Sequence, residues 1–318
     1  MDMSKNGILF FMFVLPLSVA AFAISKPKTA TTCQDSTKES LRGKNVILTG
    51  ASSGLGKALA FQVAKCEVKT LVLSGRNLEQ LEKVKSTCEE IMFNKKKVDV
   101  KIVPCDLSDE NSVDKFGDEA MSICGEKADV LILCGGISSR SSFLETDKDV
   151  DKLLMQVNFL SGSAIAKRVI PSMVESRKGS IIWISSVQGL LGTPFRTSYA
   201  ASKFAVQGYC EALRAELTTS GIQVSCISPG YIKTNLSKGA IRGDGSKHDQ
   251  MDEATAKGAD PDELACEILD SVTKGKTDLI VAATFSAKAA LVLKFFTPSL
   301  LEKLLVKRFQ KATAIESK

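Results

Sequence analysis

A single histidine, His248, serves a chain of 318 residues. That scarcity excludes a multi-histidine metal centre and leaves little room for a histidine-based triad. Cysteine is present nine times, at positions 33, 66, 88, 105, 124, 134, 210, 226 and 266, but never with C-x-x-C spacing. A zinc or redox motif of that kind is therefore absent, and no metal is expected. The odd, scattered set reads as small buried apolar residues rather than a disulfide framework. No repeat of 20 to 50 residues runs through the chain, which excludes a solenoid. Only one long uncharged apolar run occurs, and acid is nearly missing from the last stretch. From Phe285 onward seven Lys/Arg accompany two Glu, close to the whole excess behind the net charge of +6.

The apolar run is "GILFFMFVLPLSVAAFAI", 18 residues at positions 7–24. It is near the short end of a membrane span. Ala21-Phe22-Ala23 also resembles a signal-peptide cleavage site, so an anchor and a cleaved signal are rival readings. "SKPKTATTCQDSTKES" follows as a polar linker. Lys26, Lys28, Lys38, Arg42 and Lys44 follow the run and only Lys5 precedes it, which sets a retained anchor with the large domain in the cytosol. In the basic tail, Leu291, Leu293, Phe295, Phe296, Leu300, Leu301, Leu304 and Leu305 alternate with the lysines. This pattern points to a lipid surface rather than nucleic acid. A packed helix with solvated lysines fits it equally.

Between these ends, short apolar runs alternate with amphipathic stretches. "NVILTG", "TLVLSG", "VKIVPCD", "DVLILCGG", "GSIIWISS", "IQVSCISPG" and "TDLIVAA" read as strands. "GLGKALAFQVAKC", "NLEQLEKVKSTCEEIM", "VDKLLMQVNFLSGSAIAKRVIPSM" and "SYAASKFAVQGYCEALRAELTTS" read as helices. That alternation predicts an α/β fold: a doubly wound parallel sheet, a single Rossmann-type domain with helices on both faces. Residues 231–260 read as an irregular insertion covering the substrate, within one domain. The division is 1–40 for the apolar segment and linker, 41–285 for the domain and 286–318 for the tail.

The first strand runs into "TGASSGLG". In this loop Gly50 permits a tight turn, Gly54 admits a pyrophosphate, and Gly56 lets the helix pack close to the strand. Ser52, Ser53 and Leu55 complete the candidate phosphate cradle, since a helix N-terminus presents unpaired N–H groups. After the second strand, where an acid would hold the ribose of NAD, stands Arg76. A guanidinium suits a 2′-phosphate, so NADP(H) is expected rather than NAD(H). Asp106 and Leu107 follow the third strand, where the aspartate would cap the next segment or meet the adenine.

Tyr199 and Lys203 stand at i and i+4, on one helix face. A neighbouring ammonium favours phenolate and lowers the tyrosine from its free pKa of about 10, giving an acid–base group to a chain poor in histidine. Reduction of a ketone needs such a proton donor. Ser186, at the end of "IIWISS", is placed to hold the same carbonyl. Asn158, in "QVN", is placed to hold water or backbone in a proton relay.

Taken together, TGASSGLG, Asn158, ISS, YAASK and SPG resemble the short-chain dehydrogenase/reductase family over residues 41–285. The resemblance implies Tyr199 as acid–base, Lys203 as its modulator and ribose ligand, Ser186 as the substrate-polarising hydroxyl and Asn158 as part of the relay. It places Pro229, Gly230, Ile232 and Thr234 near the nicotinamide. "ISSVQGLLGTPFRTSYAASK" and "SPGYIKTNLSKGAIRGDGSKHDQMDEATAKG" are similar to the membrane-associated member-seven branch, its B form especially. That branch implies the endoplasmic reticulum membrane. The secretory pathway after signal cleavage, or an algal plastid, are the alternatives for location. One position departs from the family. Its Asn-Asn-Ala-Gly is replaced by Leu133, Cys134, Gly135 and Gly136, which removes bonds to the sheet centre while still allowing close cofactor approach. The expected activity is hydride transfer between NADP(H) and a carbonyl or secondary alcohol, with a lipid-like substrate and a second copy of the chain as candidate partners. A nucleotide-loaded scaffold or sensor with impaired catalysis is the alternative.

Overall fold

Asn45–Thr49 buries all five of its residues, which only a strand covered on both faces can do. This strand, β1, lies in the interior of the sheet. The computed structural model describes residues 31–91 and 98–316. The other strands are β2 (Thr70–Leu73), β3 (Asp99–Ile102), β4 (Val130–Leu133), β5 (Gly179–Ile184), β6 (Ile222–Pro229) and β7 (Asp278–Val281). They form one seven-stranded sheet in the order β3-β2-β1-β4-β5-β6-β7. Every pairing is parallel, in registers such as Val46↔Leu71 and Val46↔Val130 around β1.

Successive residues of a strand face opposite sides, and the two cores follow that alternation. Val46, Leu48, Ile132 and Ile182 point to one layer, built with α2 (Gly54–Ala64), α3 (Leu78–Glu90) and α9 (Pro261–Thr273). Ile47, Leu131, Leu133 and Trp183 point to the other, built with α4 (Glu110–Ile123), α6 (Ser161–Ser176) and α7 (Thr197–Leu217). There Trp183 lies 6.2 Å from Phe159 and 5.5 Å from Tyr209, ring centre to ring centre. All nine cysteines are unpaired, and eight of them are buried. They pack as small apolar side chains.

The structure differs from the sequence reading in three elements. The expected helix over 150–173 is two helices, α5 (Lys148–Met155) and α6, joined by a π-turn at Gln156–Leu160. Two helices unread in the sequence are α4 and α9, each started by an aspartate cap. Asp109 accepts from the Asn111 N–H at 3.1 Å, and Asp260 from those of Asp262 and Glu263 at 2.8 and 3.1 Å. Shorter pieces are α1 (Asp35–Leu41) and α8 (Glu253–Ala256).

The basic tail is helical, as α10 (Phe285–Phe296) and α11 (Pro298–Glu316). Leu291 and Leu301 are buried, Lys294 donates to the Leu190 carbonyl at 2.6 Å, and Phe309 stacks on Phe195 at 5.2 Å. Phe285, Phe295, Phe296, Leu300 and Leu304 stay exposed. Among the described residues no helix is long and apolar enough to cross a membrane. The apolar segment 7–24 lies outside the described residues.

Candidate active site

All the strands point their carboxyl ends to one edge, and β1 and β4 leave the centre in opposite directions. Open parallel sheets bind ligands at that edge, at the point where the strand order reverses. A cavity of about 490 Å³ occupies it here. Gly50 leaves β1 at φ +71°, a left-handed conformation that suits glycine, and a Cβ there would meet Gly135 backbone at 2.7 Å. A Cβ on Gly56 would stand 2.0 Å from the Gly50 carbonyl oxygen. Both glycines are thus required by close backbone approach. Ser53, the N-cap of α2, makes no side-chain capping bond, so the first N–H groups of that helix have no cap of their own. Ser52, Ser53, Gly54 and Leu55 line the cavity there, and Thr234 packs on the Gly54 position at 3.1 Å from its missing Cβ.

Arg76 is exposed and lines the same end of the cavity. Asp106 forms a local turn, accepting from the Ser108 N–H at 3.0 Å and hydroxyl at 2.8 Å. Burial works to raise its carboxyl, but the Ser108 bonds and the charge of Arg76 outweigh it and hold the group below the usual carboxylate range. Leu107 covers Gly135, where a Cβ would clash with its methyl at 2.4 Å.

The loop with Cys134 and Gly135 where the family has asparagine and alanine is tied to β1 through its backbone. The Thr49 hydroxyl accepts from the N–H groups of Cys134 at 3.2 Å and Gly135 at 3.3 Å. Burial pushes the Cys134 thiol up to about 12, so it stays neutral in the cavity wall.

The π-turn turns Asn158 inward, where it is 1% exposed. Its amide nitrogen donates to the Ile137 carbonyl at 2.9 Å and the Ser202 hydroxyl at 2.9 Å, and its oxygen accepts from the Ile137 N–H at 2.8 Å. Ser202 in turn donates to the Tyr199 carbonyl at 2.8 Å. Asn158 therefore ties the β4 loop to the helix that carries the tyrosine. Tyr199 and Lys203 are both buried on α7, with the ammonium 5.9 Å from the ring centre. Lys203 donates to the Ile184 carbonyl at 3.0 Å, anchored to the end of β5. Gly136 separates it from Asn158; a Cβ there would lie 3.0 Å from the amide oxygen and 3.4 Å from the ammonium. Ser186 accepts from the Gln188 N–H at 3.1 Å and lines the cavity with Tyr199 and Lys203. Pro229, Gly230, Ile232 and Thr234 line it on the β6 side.

Residues 231–260 cross the opening and are stitched to the loop after β4. Ile241 donates to the Ser138 carbonyl at 2.8 Å, and Arg140 to the Ile241 carbonyl at 2.9 Å. This region holds the residues the sequence reading missed. Arg140 donates from Nε to Asp252 at 3.0 Å and from Nη1 to Ser138 at 2.7 Å; Arg196 reaches the same carboxylate and the same hydroxyl at 3.4 Å. Nothing in the spacing of residues 140, 196 and 252 announces that meeting. Among the described residues no group of three or more His, Cys, Asp or Glu could hold a metal ion.

The short chain dehydrogenase family model matches residues 44–244. A Drosophila melanogaster protein, dehydrogenase/reductase SDR family protein 7-like, is 40% identical over 283 residues, 88% of this chain and 85% of its own. Dehydrogenase/reductase SDR family member 7B of Danio rerio is 38% identical, over 88% of this chain and 90% of its own. Among solved structures, a short chain dehydrogenase/reductase from Burkholderia phymatum in complex with NAD is similar in fold. Its TM-score is 0.70 at 22% identity, covering 82% of this chain and 95% of that one. An alcohol dehydrogenase from Thermococcus sibiricus complexed with 5-hydroxy-NADP follows at a TM-score of 0.63 and 22% identity, over 76% and 97%. With its parallel seven-stranded sheet, glycine turn and Tyr199–Lys203 helix, this chain belongs to the short-chain dehydrogenase/reductase family of oxidoreductases.

Proposed function

We propose that the protein is an NADP(H)-dependent oxidoreductase that interconverts a carbonyl and a secondary alcohol on a lipid-like substrate. The observation that carries this reading is the meeting of Ser186, Tyr199 and Lys203 in one cavity with the uncapped, glycine-framed start of α2. That start fits a pyrophosphate, because Gly50 and Gly56 let backbone come where any Cβ would collide. Two solved structures of this fold are described as complexes with NAD and with a hydroxylated NADP, which supports a nicotinamide cofactor. Exposed Arg76 at the adenosine end, with no carboxylate in its place, favours the 2′-phosphate form.

The bound nicotinamide supplies or accepts the hydride. Tyr199 gives its phenolic proton to the carbonyl oxygen in reduction and takes it back in oxidation. Lys203 sets a positive charge beside the phenolate that forms. Ser186 donates to the same oxygen and fixes its position. Asn158 is a positioning residue: its three bonds hold the Ile137 loop and Ser202 in place.

The apolar side chains of Leu191, Leu236, Leu291 and Leu305 in the cavity wall support a lipid-like substrate. The segment 7–24 and the exposed aromatic and aliphatic face of α10 and α11 support a site on a membrane, and the membrane proposed is that of the endoplasmic reticulum. A panel of lipid, steroid and retinoid ketones with NADPH tests the reading. Turnover of at least one is expected; none turned over, with NADPH still bound, would favour the scaffold or sensor instead.

A further inference from the structure

The substrate end of the cavity carries more positive charge than its one neighbouring carboxylate among the described residues, Asp252, can balance. Five cations line the cavity: Arg76, Arg140, Arg196, Lys203 and Arg308. Among the described residues its lining carries one acid, Asp106, at the adenosine end. Arg76 and Lys203 have roles in the proposed cofactor site. Arg140, Arg196 and Arg308 do not.

Arg196 is the sharpest case. It stands at the N-cap position of α7, three residues before Tyr199, with no capping bond from its side chain, which is 16% exposed. A guanidinium offers five N–H donors. Among the described residues the Arg196 side chain makes two hydrogen bonds, to Ser138 and Asp252, both 3.4 Å long. Arg140 already takes that carboxylate with two shorter bonds. Burial, followed by the charge of Arg140, lowers the Arg196 guanidinium from its usual range, against the pull of Tyr231, Asp252 and Tyr199. His248 adds a third basic group, 3.6 Å from Asp252. A buried cation with spare donors is stable only when something satisfies it.

We propose that Arg196, backed by Arg140, forms an anion subsite, so that the substrate is an amphiphile carrying a carboxylate or phosphate beside its carbonyl-bearing chain. The inference rests on the cavity being a substrate site, as in the function proposed above. Planar guanidinium groups bind both oxyanions in a forked geometry. Asp252 holds the two arginines at the rim without neutralising both.

Equilibrium binding to full-length, detergent-solubilised protein loaded with NADPH tests this without turnover. The probes are octanoate, octyl phosphate and octanol, measured by calorimetry. At least one anion should bind about tenfold or more tighter than octanol, as one charged hydrogen-bonded contact supplies; the tighter of the two names the head group. Arg196→Gln should remove most of that preference, and Arg196→Lys should keep part of it. Equal binding of octanol and both anions to the wild type would overturn the subsite, even where Arg196→Gln does not fold. So would an anion preference that survives in Arg196→Gln that still binds NADPH. Anion preference without reduction of any ketone would keep the subsite and sink the oxidoreductase reading instead.

Discussion

A single methyl group decides whether the glycine turn can exist. Gly56→Ala would put a Cβ 2.0 Å from the Gly50 carbonyl oxygen, against backbone that cannot rotate away. Overpacking of this kind costs about 1–3 kcal/mol. At roughly 2–4 °C per kcal/mol for a domain of this size, thermal melts should show a clear fall in Tm, together with weakened NADPH binding. An unaltered melt would mean that helix α2 sits farther from β1 than described. Arg76 carries a different expectation. Arg76→Leu should weaken NADPH binding at least tenfold while leaving NADH binding within a few-fold, because a 2′-phosphate loses a charge-assisted partner and a 2′-hydroxyl does not. Equal losses for both, by fluorescence titration, would contradict the NADP(H) assignment. Asp252 adds a pH dependence. Burial raises its carboxyl, but Arg140 and Arg196 hold the net value below the usual range. Its contribution to stability is therefore complete above an ordinary carboxylate pKa of about 3.9 and is lost as pH falls through the lower folded value. Asp252→Asn should melt earlier than wild type at pH 7, with the gap closing in strong acid.

Among the elements, the π-turn at Gln156–Leu160 does most to connect local structure with the site. It puts Asn158 where one amide bridges the loop after β4 and the start of α7. Asn158→Ala leaves the Ile137 N–H and carbonyl without that partner, at about 1–3 kcal/mol. Activity should fall with it, because Tyr199 is held through Ser202; Asn158→Asp should recover less than half of the bonding, having lost both N–H donors. A kcat that drops with KM little altered would identify positioning of the proton donor.

The strands β1, β2, β4 and β5 were legible as unbroken apolar runs, and α7 as an amphipathic repeat carrying Tyr199 and Lys203. The glycine turn was legible from its place between strand and helix. The π-turn was not, since inserting one residue in a helix changes no local composition. Helix α4 escaped because "ENSVDKFGDEAMSI" is polar, though Asp109 marks its start; α9 escaped although Asp260-Pro261 is a helix-start signal. The arginine pair escaped for another reason. Arg140, Arg196 and Asp252 come from three separate loops, and only the fold brings the two arginines onto one carboxylate. The replacement of the Asn-Asn pair was legible, but the tie of that loop to β1 was not, because the Thr49 hydroxyl accepts from N–H groups more than eighty positions away.

For the whole molecule, the carboxyl edge of the sheet, the segment 231–260 and helices α10 and α11 all converge on one cavity. Leu291 and Leu305 link that cavity to helices whose outer faces expose Phe285, Phe295 and Phe296. This arrangement suits a substrate that arrives from a lipid phase. Attachment through residues 7–24 predicts that full-length protein stays in the membrane pellet after an alkaline wash. Recovery of a soluble chain beginning near residue 22 or 24 would show a cleaved signal in its place.

The central claim is that Tyr199 passes the proton in a hydride-transfer reaction. The direct test is single-turnover kinetics of wild type and Tyr199→Phe with NADPH and the best ketone of the panel, beside NADPH binding to both. The ring and its packing survive the substitution and only the hydroxyl is lost. The account predicts that NADPH binds both proteins alike while the rate constant falls by at least about 10²–10⁴-fold. A Tyr199→Phe enzyme that oxidises NADPH at a rate close to wild type would contradict it.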